Sequence, residues 1–92
     1  MSHTWKVWVT VCVFDQEAHT SVHLTEKRAV ISSIKEMLET LDDTTDDVFN
    51  EGEESKLENL ELERLNNIWT IMAEKCSNGE VHYDIHENTV QA

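Results

Sequence analysis

The segment WKVWVTVCVF, residues 5–14, constrains the fold more than any other part of the chain. Trp5, Val7, Val9, Val11 and Val13 fall on one side of it, and Lys6, Trp8, Thr10, Cys12 and Phe14 on the other. Period two, carried by β-branched and aromatic side chains, specifies a strand. A strand needs partners, and the next segment supplies one. Asp15, Gln16 and Glu17 provide a turn, and residues 18–24 alternate again, with Ala18, Thr20, Val22 and Leu24 opposite His19, Ser21 and His23. Two strands with so short a connection read as an antiparallel hairpin. A third alternation, at 80–86, sets Val81, Tyr83 and Ile85 against His82, Asp84 and His86.

Between the hairpin and the third strand the apolar period changes to three and four. Thr25 caps a helix expected over about 26–41, whose stripe is Val30, Ile31, Ile34, Met37, Leu38 and Leu41. Aspartates at its C-terminal end oppose the helix macrodipole and discourage continuation past Asp42 or Asp43. Ser55 and Glu58 fit a capping box for a second helix over about 56–76. Its stripe is Leu57, Leu60, Leu65, Ile68, Trp69, Met72 and Cys76, and Ser77-Asn78-Gly79 ends it. Residues 87–92 read as a loose tail.

The order is therefore β-β-α-α-β in one domain, 1–92, of class α+β. The economical packing is a three-stranded antiparallel sheet with both helices packed on one face. The valine side of the first strand, with Val22, Leu24, Val81 and Ile85, is expected to meet the helices. That leaves Trp8, Cys12 and Phe14 beside His19, His23, His82, Asp84 and His86 on the open side. Exposed aromatics on a small protein suggest a contact surface, so Trp8, Cys12 and Phe14 form a candidate self-association face and the chain a candidate homodimer.

Charge is the second constraint. The chain has 19 acids against 7 bases, a formal net charge of −12. The excess is local: twelve acids and one base, Lys56, lie between Glu36 and Glu63, while the rest of the chain has seven acids and six bases. Such a surface repels DNA, RNA and anionic lipid, and favours a basic partner. No apolar run reaches the roughly 20 residues of a membrane span, and residues 1–10 lack the pattern of a signal peptide. Two cysteines without CxxC spacing read as reduced thiols. Together these features point to the cytoplasm.

The acidic connection, about 42–54, and the helix ends beside it form the candidate partner-binding strip: Glu39, Asp42, Asp43, Asp46, Asp47, Glu51, Glu53, Glu54, Glu58 and Glu61, with Phe49 as an apolar anchor. Duplex DNA carries about one negative charge per 1.7 Å of axis. Closely spaced carboxylates on a folded support imitate that density, so a protein built to grip phosphate would bind this strip instead. The plainer reading is a solvated loop.

Other chemistry fits less well. His82, Asp84 and His86 share one side of a strand and could meet a transition metal, with His19 or His23 completing the shell. Same-side residues are about 7 Å apart, however, too wide for a tight chelate. Asp47, Glu51, Gly52 and Glu58 match positions one, five, six and twelve of a calcium loop, but Phe49 occupies the third, where an oxygen is needed. No metal or cofactor is therefore expected. No phosphate-binding glycine loop or nucleophile elbow is present, and an enzyme is not expected.

Small acidic chains with this element order resemble phage-encoded anti-CRISPR proteins of the type I systems. The ending GEVHYDIHEN is similar to a Gly-Glu-five-residue-His-Glu ending in one such family, here Gly79, Glu80, His86 and Glu87. The acidic loop is longer than that pattern. The resemblance implies a DNA-mimicking inhibitor in the host cytoplasm, bound to the nucleic-acid-recognising subunit of a defence complex. Its contacts would be Asp42, Asp43, Asp46, Asp47, Glu51, Glu53 and Glu54. The alternatives are a small oligomeric structural or regulatory protein paired through its open sheet face, or a metal-binding module.

Overall fold

The computed structural model describes residues 4–41 and 47–91. Its elements follow the expected order: β1 (Thr4–Phe14), β2 (Glu17–His23), α1 (Glu26–Leu41), a single 3₁₀ turn at Leu57–Asn59, α2 (Leu62–Asn78) and β3 (His82–Gln91). The sheet is antiparallel with strand order β2-β1-β3. Both helices pack on one of its faces.

The hairpin closes through two residues, Asp15 and Gln16, both with positive φ (50° and 68°). Two consecutive left-handed residues follow the right-handed twist of the strands they join. The turn fixes the register Phe14↔Glu17, Cys12↔His19, Thr10↔Ser21 and Trp8↔His23. Helix α1 starts as expected: the Arg28 N–H donates to Thr25 Oγ1 at 3.2 Å.

Helix α2 starts later than the capping-box pattern predicts. Ser55 Oγ donates instead to the Gly52 carbonyl at 3.2 Å, and Glu58 accepts from Lys35 Nζ at 3.2 Å. Leu57 is buried in the 3₁₀ turn, the chain is extended at Leu60 and Glu61, and only then does the helix begin. The apolar spacing explains the break. Leu60 precedes Leu65 by five residues, which in a continuous helix would turn Leu60 off the stripe formed by Leu65, Ile68, Met72 and Cys76. At the far end the left-handed residue is Glu80 (φ 67°), whereas Gly79 has φ −94°.

Ile34, Met37, Leu65, Ile68 and Met72 are completely buried between the helices and the sheet. Ser33, a buried polar residue in this layer, accepts a 2.8 Å hydrogen bond from the Trp69 indole N–H. That bond joins the helices and leaves no buried polar atom unpaired among the described residues.

Two expectations are corrected. The first concerns residues 87–91, which are not a loose tail. β3 runs to Gln91 and pairs with β1 from Val13↔His82 down to Thr4↔Gln91. Asn88 and Thr89 are compatible with an edge strand, which needs only one paired side.

The second correction concerns the sheet faces. The residues of each hairpin face are grouped as the alternation predicts, but the opposite face meets the helices. Cys12, Tyr83 and Ile85 pack on the core. Thr10 is buried, with its hydroxyl bonded to Ser21 Oγ. Trp8 lines a hollow with Val30 and Trp69. Trp8 and Cys12 therefore lie on the covered side, and Phe14 projects from its margin, 57% exposed. They do not form an open face. The cause is the register of β3, which places Tyr83 opposite Cys12 and Ile85 opposite Thr10. A shift of one residue would exchange the faces. The outer face instead carries Trp5, Val7, Val9, Val11 and Val13, flanked by Ala18, Thr20 and Val22 on β2 and by His82, Asp84, His86, Asn88 and Val90 on β3.

Candidate functional site: the acidic connection

Asp42, Asp43 and Asp46 lie outside the described residues. From Asp47 onward the connection folds against α2 and is fastened by cations from both helices. Lys75 reaches Asp47 at 3.2 Å. Arg64 makes two bonds to Glu53, Nε to Oε2 at 2.9 Å and NH2 to Oε1 at 2.7 Å, and a third to the Val48 carbonyl at 3.1 Å. Lys35 reaches Glu58, and Lys27 donates to the Glu58 carbonyl at 2.8 Å. Apolar anchors accompany these bonds. Val48 is buried, and Phe49 is half-buried against the core. Phe49 thus helps hold the connection against the core while keeping part of its ring exposed.

Glu53 is the most firmly held carboxylate. The Arg64 guanidinium and the Asn50 backbone N–H, which donates to Oε1 at 2.7 Å, lower its pKa from 4.5 to about 2. Lys75 lowers Asp47. Glu58 is lowered first by its own backbone N–H and then by Lys35. Of these three carboxylates, expected to contact a partner, Glu53 is largely buried in its ion pair, whereas Asp47 and Glu58 are paired but remain exposed.

Glu39, Glu51, Glu54 and Glu61 are exposed, and no ion pair engages them among the described residues. Glu36 and Glu63, also exposed, extend the same acidic character along α1 and α2. Glu36, Glu39 and Glu58 line one open hollow of about 450 Å³ with Arg28 and Lys35, so carboxylates of α1 and of the connection share a surface.

Sequence reasoning missed Arg64, Lys75 and Lys35. A signal existed: in a chain with so few bases, cations on helices flanking an acid block are natural clamps for it.

The proposed histidine cluster does not assemble. His82, Asp84 and His86 lie on the outer face, with His86 Nε2 3.0 Å from Asp84 Oδ2. His19 and His23 lie on the other face, where His23 Nε2 is bonded to Ser21 Oγ at 2.8 Å and His19 Nε2 is 3.9 Å from Glu17. Among the described residues no group of three His, Cys, Asp or Glu side chains is placed to hold a metal ion. Of the calcium-loop positions, Asp47 and Glu58 are occupied by Lys75 and Lys35. Both thiols are free; burial raises Cys76 to about 11, which keeps it protonated and unreactive. No described helix is long and apolar enough to cross a membrane.

The geometry defines the class as a small α+β protein with an acidic connection clamped to its helix layer. Comparison with protein-family models, curated proteins and solved structures finds no match.

Proposed function

We propose that the chain is a protein-binding inhibitor that uses its carboxylates to occupy the nucleic-acid site of a basic partner. The observation that carries this reading is the division among the acids of the connection. Asp47, Glu53 and Glu58 are tied to Lys75, Arg64 and Lys35, while Glu51, Glu54 and Glu61 between and beside them stand exposed. Carboxylates on a tethered backbone lose little freedom when a partner pairs with them, so more of the Coulomb attraction remains as affinity. Association would be fast and salt-sensitive, as for any strongly charged pair. The action is competitive occupation and requires no catalytic group.

The test is affinity capture from host lysate at about 50 and about 500 mM salt, followed by nucleic-acid binding assays on what is captured. The expected result is one or a few basic nucleic-acid-binding proteins, held only at low salt, whose nucleic-acid binding falls as wild-type protein is added. The triple variant Glu51→Lys, Glu54→Lys, Glu61→Lys should fold and lose the effect. Capture and competition that survive this charge reversal would refute the reading.

A further inference from the structure

The outer sheet face is a separate feature, and the acidic reading does not account for it. Trp5 is 60% exposed, Val22 63%, Val90 45% and Val13 37%, Val9 and Val11 between them are half-buried, and Val7 beside Trp5 is already buried within the monomer. Their side chains form a flat apolar ribbon along the central strand and its β2 neighbour, since β1 pairs on both sides. Short β-branched side chains in adjacent rows suit sheet-on-sheet packing, in which two inner faces interdigitate.

We propose that this face binds a second copy of the chain, giving a two-fold symmetric dimer with the sheets packed face to face. Two observations select that occupant. The first is charge. At −12 per chain, two copies repel each other through most of their surface. On the outer face, Asp84 is the one acid among the described residues, and it lies 3.0 Å from His86 at the β3 margin. This is the face on which two copies meet without opposing carboxylates. Stacked sheets lie about 10 Å apart, and each helix layer is on the far side of its own sheet. The described acids packed on the helix layer, from Asp47 to Glu61, then lie on opposite outer sides of the dimer, separated by more than two Debye lengths of about 8 Å at physiological salt.

The second is area. Strands of eleven, seven and ten residues, rising about 3.3 Å per residue and spaced about 4.8 Å, give roughly 450 Å² of face in projection. Burying it on both partners covers about 900 Å² in projection, the size of a weak, concentration-dependent interface. His82, Asp84 and His86 border the ribbon with polar side chains along β3.

Sedimentation equilibrium of the wild-type chain over about 1–100 μM tests the proposal. The expected species has twice the 10.7 kDa chain mass. Val11→Glu and Val22→Glu each place a carboxylate against its symmetry mate or an apolar surface, and should weaken association by about 100-fold or more. Circular dichroism and melting of both variants check that they fold. Val22 is already exposed, so Val22→Glu serves even if Val11→Glu unfolds. A measurement without mutation accompanies them: isotope-filtered NOEs between valine methyls of differently labelled copies, expected for Val11, Val13 and Val22. A monomer at about 100 μM would overturn the proposal, and would leave the face to a different protein. A dimer that persists in folded Val22→Glu without those NOEs would overturn it as well, since another surface would then be responsible. Loss of the dimer leaves the acidic connection intact, and charge reversal there leaves the outer face intact, so the two proposals fail separately.

Discussion

The outer face of β1 carries five apolar residues, Trp5, Val7, Val9, Val11 and Val13, and the covered face three, Trp8, Cys12 and Phe14, yet the more apolar face is the one left without helices. The face with Trp8, Thr10 and Cys12 is covered by helices, and the face with Trp5, Val9, Val11 and Val13 is open. Apolar count alone would reverse the assignment. The covered face includes a hydroxyl pair, Thr10 with Ser21, and a tyrosine, Tyr83, bonded at 2.9 Å to Thr40 Oγ1. It provides varied shapes and satisfied polar groups, which interlock with helix side chains. The open face provides a flat row of valines, suited to another sheet. The difference teaches that packing selects a face by shape and by hydrogen-bond satisfaction as well as by hydropathy.

That contrast can be broken by mutation, and the largest effect should come from the covered side. Ile34→Ala, in a site with no solvent exposure, should cost about 2–5 kcal/mol in urea unfolding. Ser33→Ala strands the Trp69 indole N–H and should cost about 1–2 kcal/mol. A similar loss from substituting exposed Val13 or Val22 on the outer face, measured on dilute monomer, would contradict the assignment of the faces.

The pinned and free carboxylates of the connection form a second contrast, and pH separates them. Glu53 has a folded pKa of about 2 against its ordinary 4.5. A depressed carboxylate contributes stability that is complete above the unfolded value and is lost as pH falls toward the folded one. Glu53→Gln should therefore lower the melting temperature at pH 7, with the gap from wild type closing between about pH 4.5 and pH 2. A gap for Glu53→Gln that is independent of pH would mean that the Arg64 clamp contributes nothing.

Smaller effects sharpen the picture. Gln16→Gly relieves a left-handed residue in the hairpin turn and should raise stability by about 0.5–1 kcal/mol. Val22→Thr on the outer face should change the dilute monomer by less than about 0.5 kcal/mol, while altering the sedimentation behaviour at high concentration.

Local pattern made much of this molecule legible. Alternation marked β1 and the start of β3, Asp15-Gln16 marked the hairpin, Thr25 marked the start of α1, and the order of elements implied one sheet under two helices. The density of acids between Glu36 and Glu63 was evident from composition alone. The failures were long-range. Which hairpin face lies inward depends on pairing with a strand some 70 residues away, as Cys12↔Tyr83 shows. The roles of Asp47, Glu53 and Glu58 depend on where Lys75, Arg64 and Lys35 come to rest.

The sequence by itself determined the elements, their order and the local excess of negative charge, because strand and helix periods and net charge are properties of neighbouring residues. Only the tertiary structure decided which valines stay open and which carboxylates are spent on clamps. Strand register and ion pairing join residues far apart in the chain, and a shift of one position along β3 would reassign every side chain on the sheet relative to it.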